Sequence, residues 1–332
     1  MIRKLQWGII GPGAIAHQFA EALAQCDGGQ LVAVASRTKS RAASFAEQYG
    51  AAGVHDSYRS LVDDSRVDIV YIATPHSHHY QHCRLCLEAG KHVLLEKPLT
   101  INAAQCETLI ALAESRNLLL QEALWSRFMP CFTAVKQWIA DGRIGDLQYI
   151  TSDIGFVFGH DPRHRLNDPE LGGGALLDLG VYSITISQFL MGEHPVNVQA
   201  IGSLNKRGVD ENTLVNIAYS SGRYSQFTCT ISAQASNSMT IIGSEGHIVL
   251  PRHFWNGNKA ILKQNDTVLD TLVFEHRVNG FEHQIEESMA CVNAGKLCSD
   301  MMPHTDSLAV MQTMDEIRRQ IGLKFSDELE GC

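Results

Sequence analysis

The sequence predicts an α/β protein, in which an N-terminal doubly wound parallel sheet is followed by an α+β domain with a large, mostly antiparallel sheet. Short apolar runs alternate with amphipathic stretches of helical period through the first third of the chain. Strands that are apolar throughout and alternate with helices are typical of a parallel sheet covered on both faces. The rest of the chain has strand patterns of mixed polarity at tight turns, which favours antiparallel pairing. A length of 332 residues corresponds to about two domains, and we place them at residues 1–124 and 125–332.

Strand and helix patterns alternate in the first domain. Each run rich in Val, Ile or Leu is predicted to be a buried strand, and each amphipathic stretch a helix that crosses over to the next parallel strand. The predicted strands are Leu5–Ile10, Leu31–Ala35, Val67–Ala73, His92–Leu95 and Leu118–Gln121. The predicted helices are Ala14–Gln25, Lys39–Tyr49, Ser77–Ala89 and Ala103–Arg116.

The second domain has fewer helices and more strands. Strand patterns follow one another at tight turns from Val196 to about Phe274, which predicts an antiparallel sheet. A further strand is predicted before this region, over Asp146–Phe158. The predicted helices are Cys131–Ala140, Gly174–Met191, Phe281–Ala294 and Thr305–Ile321.

Composition excludes several classes of function. The 36 acidic residues outnumber the 27 Lys and Arg residues, for a formal charge of −9, whereas a nucleic-acid or anionic-membrane surface is expected to be basic. The nine cysteines are odd in number and scattered, which indicates reduced thiols in a cytoplasmic protein. No apolar run approaches the ~18 residues of a membrane span, and the apolar start of the chain is interpreted as the first strand rather than a secretion signal.

A glycine-rich turn between the first strand and the first helix predicts a dinucleotide site. Its sequence, Gly11-Pro-Gly13-Ala14-Ile15-Ala16, matches G-x-G-x-x-A. Gly11 permits the tight turn, Gly13 leaves room for a pyrophosphate, and Ala16 keeps helix and strand close. We expect Gly11, Gly13, Ala14 and Ile15 to contact the cofactor, because the helix N-terminus offers N–H donors and a positive dipole.

The end of the second strand selects between NAD and NADP. An acidic residue here would bind the ribose 2′-hydroxyl, but no Asp or Glu occurs between Asp27 and Glu47. The segment instead contains Ser36, Arg37 and Arg41, whose guanidinium groups can bind a 2′-phosphate. The alternative is a solvated basic start of the next helix. We expect NADP rather than NAD.

Three further segments have the composition of a ligand site. Two of them follow predicted strands of the parallel sheet, at the carboxyl ends where ligands bind in such sheets; the third opens a helix of the second domain. They are Thr74-Pro75-His76-Ser77-His78-His79, Glu96-Lys97-Pro98, and Gly172-Gly-Gly174 followed by Asp178 and Tyr182. Asp178 and Tyr182 are four residues apart and share one face of an α-helix. Each segment taken alone also has a structural explanation, such as a proline that ends a strand.

Together these segments resemble the Gfo/Idh/MocA oxidoreductase family over essentially the whole chain. Many relatives have a histidine where this sequence has Tyr182. That tyrosine, with residues 122–130 and 227–231, is similar to the dimeric dihydrodiol dehydrogenase branch, whose members oxidise trans-dihydrodiols and D-xylose with NADP. The resemblance implies a Rossmann domain, an open antiparallel sheet in the second domain, and a homodimer formed through that sheet.

The resemblance and the positions of these segments imply a set of site residues. Contacts to the cofactor are expected from Thr74, Pro75, His79, Glu96 and Lys97. The substrate is expected to contact His76, His79, Trp125, Lys97 and Tyr182.

We assign Tyr182 as the general acid/base, Lys97 as its activator and substrate anchor, and Asp178 as the residue that orients Lys97. A free tyrosine has a pKa of about 10, and a nearby ammonium favours its phenolate form. The alternative is that Lys97 itself relays the proton.

The predicted function is NADP-dependent hydride transfer involving a secondary alcohol or carbonyl of a sugar, polyol or trans-dihydrodiol. Two alternatives remain: a regulatory protein that binds NADP without turnover, and a reductase of keto-sugars or other carbonyls. A zinc site formed by His79, Cys83 and Cys86 is the weaker interpretation, because no second ligand pair has matching spacing, and no metal is expected.

Overall fold

The computed structural model describes residues 4–159, 161 and 163–331. The chain forms two compact units. The first unit contains the residues up to Trp125 together with His276–His304, and the second contains Ser126–Glu275 together with Thr305–Gly331. The first change of unit lies beside the predicted boundary at residue 124, but the segment His276–His304, which we placed in the second domain, is part of the first unit.

The first unit is built on a six-stranded parallel sheet in the order β3-β2-β1-β4-β5-β6. This order confirms the predicted doubly wound sheet. The short strand β3 is not among the predicted strands, because its three residues are too few to show a period. The strands are β1 (Leu5–Ile10), β2 (Gly29–Ala35), β3 (Gly53–His55), β4 (Ile69–Ile72), β5 (His92–Glu96) and β6 (Leu120–Ala123).

Six helices belong to the described part of this unit. They are α1 (Ala14–Leu23), α2 (Lys39–Tyr49), α3 (Tyr58–Val62), α4 (His79–Glu88), α5 (Ala103–Arg116) and α8 (Phe281–Asn293). Phe19 of α1 stacks on Tyr71 of β4 with 3.9 Å between ring centroids. Phe281 and Ile285 of α8 belong to the same buried cluster. The apolar face of α8 is therefore covered by this core, which explains why a segment so late in the chain belongs to the first unit.

The second unit is built on an eight-stranded sheet in the order β14-β13-β12-β11-β7-β10-β9-β8. All its neighbouring strands are antiparallel except β7 and β10, which are parallel, so the predicted mostly antiparallel sheet is confirmed. The strands are β7 (Leu147–Gly155), β8 (Pro195–Leu204), β9 (Asp210–Tyr219), β10 (Tyr224–Thr230), β11 (Met239–Gly243), β12 (His247–Leu250), β13 (Lys259–Gln264) and β14 (Thr267–Val273).

A buried helix covers one face of this sheet. It begins with a π-helical turn at Leu176–Gly180 and continues as α7 (Val181–Met191), where Ser183 meets Ser152 of β7 at 3.0 Å. The segment Pro169–Met191 is long and apolar enough to cross a membrane, but 94% of its apolar window is buried inside the structure, as expected of a core helix. The other helices are α6 (Pro130–Ala140), α9 (His304–Ile321) and α10 (Asp327–Glu330).

Candidate active site

The glycine turn after β1 has room only for glycine at its first position. Gly11 has a φ of +86°, in the region that glycine adopts without strain. A Cβ atom at Gly11 would lie 2.9 Å from the Thr74 side chain and 3.0 Å from the carbonyl oxygen of Ala73. The turn therefore packs directly against the end of β4, on the neighbouring strand.

The second glycine of the turn faces open space at the start of α1. A Cβ atom at Gly13 would meet no atom within 4 Å. Gly13 is the N-cap of α1, no side chain caps the helix, and its first turn contains no acidic residue. A helix N-terminus with uncapped N–H groups beside open space fits a pyrophosphate. The cofactor expected from the sequence is therefore compatible with this turn, and Ala14 and Ile15 lie in the first turn of the helix.

Two exposed arginines follow β2, as predicted. Ser36 is buried and its hydroxyl accepts a hydrogen bond from the N–H of Thr38, at the start of α2. Arg37 and Arg41 are exposed, and α2 has no acidic residue in its first turn. A phosphate beside these cations would be met by charge-assisted hydrogen bonds.

His79 connects two loops at the carboxyl edge of the sheet instead of facing a pocket. Its Nδ1 lies 2.8 Å from the carbonyl oxygen of Pro98, and its Nε2 lies 2.9 Å from that of Thr74. The side chain is 0% exposed, and burial lowers its pKa to about 3, so the neutral ring donates from one nitrogen only. Each ring nitrogen faces a backbone carbonyl oxygen, so neither nitrogen faces open space. The expectation that His79 binds a substrate hydroxyl is therefore wrong, and its role is to fix the Thr74 and Pro98 loops.

The other two predicted pocket residues of the first unit are His76 and Trp125. His76 is buried, with its ring centroid 5.6 Å from that of His79. Trp125 is half-buried and packs on Phe281, with 5.1 Å between the ring centroids. Pro75 caps the short 3₁₀ turn His76–His78. Substrate contact by His76 and Trp125 stays a prediction.

The Glu96-Lys97-Pro98 segment is held at the end of β5. The Tyr71 hydroxyl donates to the buried carboxylate of Glu96 at 2.5 Å. Lys97 is half-buried and precedes Pro98 through a cis peptide bond. The N–H of Leu99 donates to the Glu122 carboxylate at 3.1 Å. These contacts anchor both sides of Lys97 to the sheet.

The triple-glycine segment of the second unit is required by close packing. Gly172 has a φ of +67° and Gly174 a φ of +113°. A Cβ atom at Gly174 would lie 2.1 Å from a carboxylate oxygen of Asp210. The other Asp210 oxygen accepts hydrogen bonds from the N–H of Leu176 and the hydroxyl of Thr213, at 2.8 and 2.9 Å. Asp210 therefore caps the buried helix at its start, and only glycine permits this approach.

Asp178 lies in the π-helical turn that follows, and an arginine holds it. Its side chain accepts a hydrogen bond from Arg165 at 2.9 Å, and the residue is 5% exposed. Arg165 is half-exposed. The predicted α-helical spacing from Asp178 to Tyr182 thus starts in a π turn, a feature that is frequent at functional sites.

Tyr182 lies beside a cluster of aromatic side chains. It is 8% exposed, and its ring centroid lies 6.1 Å from that of Trp255. The ring centroid of Trp255 in turn lies 5.8 Å from that of Phe156 and 5.2 Å from that of His253. The hydroxyl of Ser126 donates to the carbonyl oxygen of Trp255 at 2.6 Å, which fixes this loop. The cluster provides an apolar surface next to the phenol.

Sequence reasoning missed Arg165 and the aromatic residues around Tyr182. Arg165 has a signal in the sequence, since two arginines, Arg163 and Arg165, precede the triple-glycine segment. Trp255 also has one, because His253-Phe-Trp255 places aromatic residues in a turn between two strand patterns. The structure thus gathers Asp178, Tyr182 and these residues in the second unit.

The groups that suggested a metal have other roles. Burial raises the pKa of the Cys83 and Cys86 thiols well above their usual range, which disfavours the thiolates that metals bind. Elsewhere His276, Glu282 and His283 place ligand atoms within 4.8 Å of one another. Glu282, however, accepts hydrogen bonds from the backbone N–H groups of residues 278–280. It therefore fixes the segment that leads into α8, and we assign no metal to it.

Comparison with known proteins agrees with this architecture. Residues 5–124 match the oxidoreductase family with an NAD-binding Rossmann fold, and residues 132–249 match the GFO/IDH/MocA C-terminal domain. The trans-1,2-dihydrobenzene-1,2-diol dehydrogenase of Danio rerio is 35% identical over 335 residues, which cover 98% of this chain and 99% of the relative. The Homo sapiens protein of that name is 32% identical over 332 residues, with the same coverage.

Solved structures show the same fold. An aldose-aldose oxidoreductase from Caulobacter crescentus, complexed with glycerol, has a TM-score of 0.88 at 26% identity, and covers 96% of this chain and 97% of its own. A 3-ketoreductase from Actinomadura kijaniata, with NADP and TDP-benzene, has a TM-score of 0.87 at 27% identity, and covers 96% and 98%. The expected fold and the expected class of nicotinamide-dependent dehydrogenase are confirmed. Because relatives above 30% identity span nearly the whole chain, the protein belongs to the Gfo/Idh/MocA oxidoreductase family.

Proposed function

We propose that this protein is an NADP-dependent dehydrogenase that acts on a secondary alcohol of a sugar, a polyol or a trans-dihydrodiol. One observation carries the proposal: open space at Gly13, at the uncapped start of α1, accompanies two exposed arginines after β2. A pyrophosphate and a 2′-phosphate need these two features. The names of the relatives, which are diol dehydrogenases and sugar oxidoreductases, support the substrate class.

The residues that would hold NADP belong to the first unit. Gly11, Gly13, Ala14 and Ile15 form the pyrophosphate turn, and Ser36, Arg37 and Arg41 would meet the 2′-phosphate. Thr74, Pro75, Glu96 and Lys97 lie at the carboxyl ends of β4 and β5, towards which bound ligands extend in such sheets. The bound cofactor supplies a nicotinamide C4 that takes or gives a hydride.

The proton of the substrate hydroxyl is assigned to Tyr182. In the proposed mechanism the Tyr182 phenolate accepts this proton, and the Lys97 ammonium favours the phenolate and anchors the substrate oxygen. Asp178 orients Lys97, and its contact with Arg165 fixes the carboxylate in one position. In the alternative assignment, Lys97 itself moves the proton.

The aromatic cluster supports a substrate with an apolar face. Trp255, Phe156 and Tyr182 present ring surfaces, and such surfaces pack on apolar rings or on the C–H face of a sugar. His76 and Trp125 are proposed to complete the contacts to substrate. A cytoplasmic location is proposed because the eight described cysteines are all free, as is typical of a reducing compartment.

A homodimer through the second-unit sheet is also part of the proposal. Its outer face exposes two pairs of apolar residues that are cross-strand neighbours in register, Tyr149 with Tyr224 and Ile201 with Leu214. Exposed apolar patches on a sheet are typical of protein interfaces.

A panel of aldoses, polyols and trans-diols tests the function. The full chain is incubated with each compound and NADP, and NADPH formation is followed by its absorbance. We expect sustained turnover with at least one compound and a much lower rate with NAD. Tight NADP binding without turnover in either direction would instead indicate a regulatory NADP-binding protein.

A further inference from the structure

Arg37 lies near Tyr58 and His82, two residues to which the proposed cofactor site assigns no role. It follows β2, whereas Thr74 follows β4, and these two strands flank β1 and its glycine turn. Between the two loops lie Tyr58, the first residue of α3, and His82 in the first turn of α4. Both side chains are half-buried.

A continuous set of contacts connects Thr74 to Arg37. The Nδ1 atom of His82 lies 3.0 Å from the Thr74 hydroxyl. The His82 ring meets the Tyr58 ring in a T-shaped contact, with 4.4 Å between centroids and 73° between planes. The Arg37 guanidinium lies close to the Tyr58 hydroxyl, where its charge favours the ionised phenol, and it also lies near His82.

This arrangement restricts an otherwise flexible side chain. An exposed arginine samples many rotamers and must lose that freedom when it binds a phosphate. A hydroxyl on a packed ring can accept from one of the five guanidinium donors and leave the others for a ligand. Burial lowers the pKa of His82 to about 4, so the ring behind Tyr58 is neutral at physiological pH and offers no competing cation for the phosphate.

We infer that Tyr58, supported by His82, is a positioning residue that holds Arg37 ready for the 2′-phosphate and thereby increases the preference for NADP over NAD. The inference rests on the proposed role of Arg37 in binding NADP. It adds a specificity determinant outside the glycine turn and outside the segment after β2.

The variant Tyr58→Phe removes the hydroxyl and keeps the ring against His82. The dissociation constants of NADP and NAD are measured by titration calorimetry on the full chain without substrate, and 2′,5′-ADP and 5′-AMP serve as fragment probes. We expect NADP and 2′,5′-ADP to bind about three- to tenfold more weakly, as for one lost hydrogen bond. NAD and 5′-AMP should change less than about twofold, because they lack the 2′-phosphate.

Tyr49→Phe is the matched control. It removes a hydroxyl that also has a hydrogen-bond partner, His17 at 2.9 Å, but at the far end of α2. Its affinities should equal those of the wild type. Thermal unfolding of each variant shows whether a change in affinity reflects a damaged fold.

A double variant separates positioning from direct contact. If Tyr58 acts through Arg37, the double variant Arg37→Ala/Tyr58→Phe should bind NADP with the same affinity as Arg37→Ala alone. A further loss in that background, or equal weakening of NADP and NAD by Tyr58→Phe, would overturn the inference. A Tyr58→Phe variant that binds NADP with wild-type affinity would also overturn the inference. A wild type that does not prefer NADP would instead contradict the proposed function.

Discussion

The assigned proton-transfer residues differ in what surrounds them. Tyr182 is nearly buried beside Trp255, so its phenol meets an aromatic surface rather than bulk water. Lys97 is half-buried at the end of β5, next to a glutamate that Tyr71 holds. A phenol in such surroundings provides a defined proton acceptor, and a fixed lysine provides a defined charge.

Replacing Tyr182 by phenylalanine tests the acid/base assignment. Only the phenol oxygen is lost, so turnover should fall about 10²–10⁴-fold while NADP affinity remains near that of the wild type. Tyr219→Phe, which removes a buried hydroxyl elsewhere in the second unit, should keep full activity. Steady-state rates and NADP titrations provide both readouts.

The pH profile and Lys97→Met decide between the two proton relays. Lys97→Met should be at least as damaging as Tyr182→Phe, because it removes both the activating charge and the substrate anchor. Wild-type oxidation should rise with pH through one ionisation of the coupled pair. A Tyr182→Phe enzyme that retains most of the rate and the same pH profile would show that Lys97 moves the proton itself.

Arg37→Ala tests the choice of cofactor at the residue scale. Loss of a charge-assisted phosphate contact should cost about 1.5–3 kcal/mol, which is roughly a ten- to hundredfold loss of NADP affinity. NAD affinity should stay nearly constant, so the gap between the two cofactors narrows. Equal NADP affinity in wild type and variant would contradict the assignment.

Among the elements, the buried helix of the second unit depends on a carboxylate at its start. Asp210 accepts hydrogen bonds from Leu176 and Thr213, and Gly174 leaves the space it needs. Burial raises the pKa of Asp210 to about 6 despite these hydrogen bonds. The helix that contains Asp178 and Tyr182 is therefore coupled to a titrating group.

Asp210 should make stability depend on pH between about 4 and 6. Its folded-state pKa lies above its unfolded value, so its stabilising contribution is full below pH ~4 and is lost as the pH rises through about 6. The loss should amount to about 3 kcal/mol. Denaturant unfolding across this range should show the slope in the wild type and a much smaller slope in Asp210→Asn.

The exposed aspartate Asp266, in the turn between β13 and β14, provides the control. Asp266→Asn should keep the wild-type pH dependence of the unfolding free energy. Parallel curves for wild type and Asp210→Asn would mean that Asp210 is already ionised in the folded protein at low pH.

For the whole molecule, the outer face of the eight-stranded sheet is the surface that a dimer would cover. Ile201 is 77% exposed and is paired across strands with Leu214. Burying such residues against a second copy removes apolar area from water. The opposite face is the one on which α7 packs, through Ser183 against Ser152 of β7.

Two lysines introduced on this face should dissociate the dimer. In Ile201→Lys/Leu214→Lys, two neighbouring ammonium groups would have to be desolvated at the interface, so light scattering should report a monomer at micromolar concentration. Val54→Lys, which alters an exposed apolar residue of the first unit, should leave the wild-type mass unchanged. A wild type that is itself monomeric would contradict the proposed assembly.

Local sequence patterns were sufficient to predict the parallel sheet, the glycine turn and the candidate ligand segments that follow β4 and β5. These features depend on short-range patterns: an apolar strand, a positive-φ glycine at Gly11 and an amphipathic helix form within about thirty residues. The mostly antiparallel second sheet was also predictable, because its turns separate successive strands. Both sheets and the glycine turn could therefore be predicted from residues close together in the sequence.

The way in which distant segments combine could be seen only in the folded protein. His79 became a connector because folding brings the carbonyl groups of Thr74 and Pro98 to its two ring nitrogens. The segment around α8 joined the first unit because Phe281 finds its apolar partners there. Trp255 reached Tyr182 across 73 residues of chain because Ser126 and the sheet fix its loop. Such contacts depend on side chains far apart in sequence, so no local period or propensity encodes them.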